Sequence, residues 1–123
     1  MQWTWSWNRG VAMKWTVEYI KEAQKDLRKL DPYVRKLVLK AIEKTAERPL
    51  PPPDGIGKPL GNHALSKLSG FYKIKLKNLG YRVVYGLIRE GGIMKIIIIS
   101  VRDDEAVYKE AERRIQGIIK PIE

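Results

Sequence analysis

The sequence predicts an α+β domain: an antiparallel sheet with an N-terminal strand and a helical hairpin packed on one face, followed by a short C-terminal helix. Three observations point there. Apolar residues recur at helical spacing through residues 20–42, they alternate with lysines from Phe71 to Lys77, and Ile93–Val101 is apolar on both faces, as a central strand covered by a helix must be. At 123 residues the chain has the length of one domain, taking roughly 150 residues per domain.

Trp3, Trp5 and Trp7, then Trp15, Val17 and Tyr19, occupy odd positions, a period of two broken at Asn8, Arg9 and Gly10. The second piece, Lys14 to Tyr19, reads as a strand. Met13 stands directly before it; if Met13 is the working start, residues 1–12 are a Trp-rich extension outside the core, and residues 13–123 are a single domain either way. Ile20, Ala23, Leu27 and Leu30 then mark a first helix. Asp31 before Pro32 is a cap followed by a residue preset for the first helical position. Val34, Leu37, Val38, Ala41 and Ile42 form the stripe of a second helix that stops near Arg48, ahead of Pro49.

Pro51, Pro52, Pro53, Gly55 and Gly57 exclude regular structure from residues 50–57, leaving a stiff connector. In Phe71–Lys77, Tyr72, Ile74 and Leu76 take one face, and Lys73, Lys75 and Lys77 the other. Asn78–Gly80 turns the chain into the strand Tyr81–Ile88, and Gly91 with Gly92 turns it into Ile93–Val101. Asp103 or Asp104 caps a last helix whose acids Glu105 and Glu110 come early and whose Arg113 and Arg114 come late, matching the macrodipole. Gly117 and Pro121 are expected to end it.

Twenty-four Lys and Arg against 14 Asp and Glu give a net charge of +10, which suits a phosphate-bearing or acidic partner. The charge is uneven. From Gly55 to Arg102 there are nine basic residues and one acid, Glu90, so this stretch holds +8 of the total. The helical region Glu22–Arg48 mixes eight basic with five acidic residues, an ordinary solvated surface. With no cysteine and the single His63, thiolate metal sites, disulfides, Cys nucleophiles and His-paired relays are poor candidates; His63 itself reads as a surface loop residue. No run approaches the roughly 18 apolar residues of a membrane span, so a soluble, cytoplasmic protein without a signal peptide is expected.

The segments Leu68-Ser69-Gly70-Phe71-Tyr72-Lys73-Ile74-Lys75-Leu76, Gly80-Tyr81-Arg82-Val83-Val84-Tyr85, Ser100-Val101-Arg102 and Glu105-Ala106-Val107-Tyr108, behind a two-helix first half, resemble the RelE/ParE superfamily of toxins from type II toxin-antitoxin modules, and more closely its RelE branch. The resemblance spans about Met13 to Ile115. It implies a RelE-like fold and an endoribonuclease that cuts mRNA, in many members within the ribosomal A site, by attack of the ribose 2′-hydroxyl without metal or cofactor. It also implies a cognate RelB-like antitoxin and a higher-order toxin-antitoxin complex. By resemblance, Lys73 and Lys75 match the paired strand lysines, Arg82 the arginine of the next strand, Arg102 the catalytic arginine, and Tyr108 the tyrosine beginning the last helix. Lys67 and Lys77 are expected to bind RNA phosphate. One departure stands out: the basic stretch common before that helix is shortened here to Arg102-Asp103-Asp104.

The residue types suit the chemistry. Cleavage by a 2′-hydroxyl needs a proton acceptor and cations around a phosphorane gaining charge. Lysines two apart on a strand project from one face, and clustered cations disfavour one another's charged form, which suits one of them to accept a proton. Each residue also has a plainer reading: the lysines as a solvated sheet face, Arg82 paired with Glu90 or an acid of the last helix, Tyr108 as a half-buried helix-start aromatic. A ParE-like toxin that inhibits DNA gyrase by binding, and a non-catalytic RNA-binding module, are the alternatives.

Overall fold

Ile93–Val101 folds as the strand against which the other elements are built. The structure, a computed structural model, describes residues 14–60, 70–101 and 104–119. In chain order the elements are β1 (Thr16–Tyr19), α1 (Lys21–Lys29), α2 (Pro32–Glu47), β2 (Lys58–Pro59), β3 (Phe71–Leu76), β4 (Tyr81–Ile88), β5 (Ile93–Val101) and α3 (Asp104–Ile119). Expectations about residues 1–12, Met13, His63, Lys67, Arg102, Asp103 and Pro121 fall outside the described residues.

The α+β class and the RelE-like element order are as expected, with a five-stranded sheet in the order β1-β5-β4-β3-β2. Two details differ. The sheet is not wholly antiparallel: β1 runs parallel to β5, Thr16 opposite Ile93 through Tyr19 opposite Ile96. Everything between them in sequence serves as the long crossover that parallel pairing requires. The helices also cover both faces rather than one. Ala23, Val38, Ile42 and Ala46 pack with Tyr72, Val83, Tyr85, Ile96 and Ile99 on one side, while Val107, Tyr108, Ala111 and Ile115 of α3 pack with Val84, Ile97 and Ile98 on the other. A register irregularity between Val84 and Tyr85 accompanies this division, with consecutive Ile97 and Ile98 both in the α3 cluster.

Most local signals act as read, but α3 runs on to Ile119, so Arg113 and Arg114 stand mid-helix and its last turn carries no basic residue to match the macrodipole. Asp31 Oδ2 accepts the N–H groups of Tyr33 and Val34 at 3.0 and 3.3 Å, and Pro32 opens α2. Gly80, Gly91 and Gly92 hold φ of +72°, +94° and +66° in the two hairpin turns, where a side chain would be strained. At 16 residues, α3 is longer than expected and passes through Gly117. A helical glycine costs only about 1 kcal/mol relative to alanine, less than the burial of Ile115 alone contributes.

The Pro/Gly connector is irregular but closely held. Ile56 N–H donates to Arg48 C=O and Gly57 N–H to Leu50 C=O, both at 2.9 Å. The buried Tyr85 hydroxyl donates to Pro49 C=O at 2.8 Å, and burial raises its pKa above the ordinary phenol value. A Cβ on Gly57 would stand 2.3 Å from the Pro49 carbonyl oxygen and 2.6 Å from the Tyr85 hydroxyl. Glycine there lets the chain pass and deliver β2, which the sequence reading missed, to the edge of β3.

At the other side, β1 accompanies β5 only as far as Ile96. Beyond it, side chains take the backbone groups: Asp26 Oδ2 accepts Ile99 N–H at 3.0 Å, and Arg114 donates to Ile97 C=O at 2.9 Å. Arg114 and Asp26 also join each other in two bonds of 2.7 and 3.3 Å, with side chains only 10% and 14% exposed. Glu110 bonds both Arg113 and Arg114, and Arg113 reaches Glu22. The hydrogen bond from Arg113 above all, then that from Arg114, draws the Glu110 carboxyl down to about 2 from 4.5, against the opposing effect of burial.

Two outcomes follow from this cluster. Asp26→Ala leaves Arg114 with Glu110 but removes its shorter partner and the acceptor of Ile99 N–H, and should lower unfolding free energy by about 1–3 kcal/mol, read from denaturant melts; Asp26→Leu with Arg114→Met should recover only part, because Ile97 C=O and Ile99 N–H then lose their partners. A carboxylate with a lowered folded-state pKa stabilises above its unfolded value and ceases to do so as pH falls through the folded one. The Glu110 contribution is therefore complete above pH 4.5 and lost toward pH 2, so Glu110→Gln should reduce stability at pH 7 and flatten its fall between those values in thermal melts.

Candidate active site

Strands β2, β3 and β4 contain no carboxylate, and their registers bring cations together. Lys58 stands opposite Lys73, and Lys75 opposite Arg82. Residues directly opposite in an antiparallel pair lie on the same face, and Lys73 and Lys75 share a face by being two apart. Arg82, Lys75, Lys73 and Lys58 thus form one patch across three strands. Arg82 shares the lysine face of β3. Lys58 belongs to the patch although the sequence reading counted it only toward net charge; the register of a two-residue strand has no sequence signature.

This face is the one α3 covers, since Val84, next but one to Arg82, belongs to the α3 cluster. Tyr108 sits in that cluster at 5% exposure, with the Lys73 ammonium 5.6 Å from its ring centroid. That distance is within cation-π range. The ring packs between α3 and the sheet here, so stacking on a base requires α3 to shift. Arg82 is 6% exposed and donates to Tyr81 C=O at 3.4 Å. Lys73 and Lys75 are half-buried above it, and Lys77 lies exposed just past β3. Lys67 and Arg102 lie outside the described residues.

Like charges directly opposite on a sheet destabilise it, and two such pairs adjoin here. Chemically, a guanidinium set into the sheet with ammonium groups beside it can surround a phosphate and stabilise charge that develops on it. Among the described residues, no three His, Cys, Asp or Glu side chains gather where a metal ion would be held. No described helix is long and apolar enough to cross a membrane.

Comparison with known proteins gives the class of protein to which this fold and patch belong. The chain is a member of the RelE/ParE superfamily, its residues 17–108 matching the family described as the ParE toxin of the type II toxin-antitoxin system, parDE. It is 31% identical to the mRNA interferase toxin RelE of Escherichia coli (strain K12) over 103 residues, 84% of this chain and 99% of that protein. The free-state structure of an E. coli RelE variant matches with TM-score 0.63 and 30% identity, covering 84% of this chain and 99% of that one. The RelBE2 toxin-antitoxin complex from Mycobacterium tuberculosis matches with TM-score 0.59 and 26% identity over 73% of this chain and all of its counterpart.

With Lys75 opposite Arg82, removing one of these like charges should relieve repulsion. Lys75→Gln should leave the melting temperature unchanged or raise it at low salt, with the difference from wild type shrinking at 1 M salt, where screening reaches within about 3 Å; a melting temperature lowered by several degrees would mean that Lys75 serves the fold instead.

Proposed function

We propose that this toxin is an endoribonuclease of the mRNA interferase type, cutting mRNA in the ribosomal A site by metal-independent attack of the ribose 2′-hydroxyl and so inhibiting translation. The observation that carries this reading is the patch of four cations on one sheet face, with no carboxylate on the strands that bear it. In the proposed step, the 2′-oxygen attacks the adjacent phosphorus and the bond to the 5′-oxygen breaks, leaving a cyclic phosphate and a 5′-hydroxyl. One of Lys73 and Lys75 takes the 2′-hydroxyl proton, the other holds the phosphate, and Arg82 supplies fixed positive charge beneath the phosphorane. The leaving 5′-oxygen takes its proton from water, with Arg102 proposed beside it; Tyr108 is proposed for orienting the reacting nucleotide, and Lys67 and Lys77 for holding flanking phosphates. Proton transfer by a positioned group contributes about 10²- to 10⁴-fold, which sets the loss expected from each lysine.

The reading extends to the partner. The similar toxins from M. tuberculosis and E. coli have been solved in toxin-antitoxin complexes, and +8 concentrated between Gly55 and Arg102 is complementary to an acidic or amphipathic segment. We infer a RelB-like antitoxin that covers the basic face and displaces α3, within a higher-order complex in the cytoplasm. Residues 13–123 are proposed as the single toxin domain, with residues 1–12 a Trp-rich extension whose deletion tests whether it belongs to the core.

The matching family, the ParE toxins, favours a second reading: inhibition of DNA gyrase by binding, which needs no catalytic lysines. Brief expression separates the two. Transcripts cut within codons support the interferase, whereas double-strand DNA breaks beside intact mRNA support the gyrase inhibitor. Lys73→Ala with Lys75→Ala should abolish both toxicity and RNA cleavage, by 10²-fold or more, while circular dichroism shows the fold retained; a folded double variant that still stops growth would sink the interferase reading.

A further inference from the structure

Beside the cation patch lies a second feature. Since β2 reaches only Tyr72 and Lys73 of β3, no described strand flanks Ile74–Leu76 on that side. A cleft of about 620 Å³ opens there between the start of α2 and the β3–β4 turn, lined by Tyr33, Leu37, Lys75, Lys77 and Asn78. Tyr33 is 68% exposed, and no other described tyrosine is so free of the core. Its place is fixed, because its own N–H and that of Val34 are held by the Asp31 cap on a helix opened by proline. Leu76 and Leu79 at the back of the cleft pack into the core below.

We propose that this cleft is a binding subsite for the RNA nucleotide that flanks the scissile phosphate, with its base stacked on Tyr33. The inference rests on the interferase reading and deepens it. Lys75 links the two places, since it belongs to the cation patch by its register with Arg82 and also lines the cleft. A strand bound with its reacting phosphate over Lys73 and Lys75 continues past Lys75 toward Lys77. There the Lys77 ammonium meets the next phosphate, and the Asn78 amide offers a donor and an acceptor to a base edge. An exposed ring beside two cations is the combination that binds single-stranded nucleic acid, the aromatic face taking any base and the ammonium groups following the backbone. The sequence places no acid between Lys58 and Arg89, so the rim from Lys73 to Asn78 offers an RNA backbone nothing that repels it.

A stacked base is worth about 5- to 150-fold in binding, the range for aromatic stacking interactions. The test uses the full chain and mRNA on programmed ribosomes, comparing wild type, Tyr33→Phe and Tyr33→Ala, with substrates carrying either a normal nucleotide or an abasic ribose at each position flanking the cut. Tyr33→Phe should cleave like wild type. Tyr33→Ala should lose 5- to 150-fold in kcat/KM at an unchanged melting temperature, since the ring is outside the core. The abasic substitution at one flanking position should cost wild type the same factor and cost Tyr33→Ala nothing further. If wild type cleaves and Tyr33→Ala cleaves equally well, or if the two losses multiply at every position, the subsite is wrong while the interferase reading stands. If Tyr33→Ala cleaves normally and instead loses affinity for the antitoxin, the cleft belongs to the protein partner and the subsite is likewise overturned. A wild type that leaves all RNA intact overturns the interferase reading and the subsite together.

Discussion

The salt bridge between Asp26 and Arg114 closes an opening that the topology creates. A four-residue β1 cannot accompany a nine-residue β5 along its length, and an unpaired strand edge is both a liability and an invitation to pairing. Here the carboxylate of α1 and the guanidinium of α3 take one backbone group of β5 each and also bond to one another. Burial works against the charged form of Arg114, but the hydrogen bonds it donates to Asp26 and Glu110 outweigh it, and its pKa is raised. A buried pair is weak evidence of stability in itself, because desolvation offsets so much of its attraction. Its consequence here is positional: it ties the two helix layers, one on each face of the sheet, to the same stretch of β5.

That tie governs the candidate site. Tyr108 and Arg114 lie on the same helix, so the network that fixes the end of α3 toward α1 also fixes the ring beneath the Lys73 ammonium. The ion pairs of Arg113 with Glu22 and Glu110 are more exposed than the Asp26–Arg114 pair, and exposed pairs each contribute less than about 1 kcal/mol. The hold on α3 is therefore graded, firm at one residue and weak around it.

The patch itself works against the fold. Lys58 opposite Lys73 and Lys75 opposite Arg82 are pairings a sheet selected for stability alone would not keep. The strands tolerate them because their other face is a closed apolar layer, Tyr72 stacked on Tyr85 with ring centroids 5.6 Å apart, above the Tyr85–Pro49 bond. The Pro/Gly connector thus does more than link a hairpin to a sheet. Its passage over Tyr85 depends on Gly57, and it ends by placing Lys58 in the patch.

The sequence by itself determined the local structure and the family. Asp31-Pro32 fixed the start of α2, the lysine alternation fixed which face of β3 is basic, the double glycine fixed the β4–β5 turn, and the doubly apolar Ile93–Val101 announced a central strand; each is a matter of neighbours within a few residues. The family segments around Lys73, Lys75, Arg82 and Tyr108 likewise lie in continuous stretches of chain. The tertiary structure alone decided that β1 runs parallel to β5, that α3 takes the face opposite α1 and α2, that Lys58 joins Lys73, and that Tyr33 shares a cleft with Lys75. The physical reason is common to all four. Each joins residues far apart in sequence, and periodicity records which way a side chain faces but carries no information about which distant strand or helix comes to lie against it.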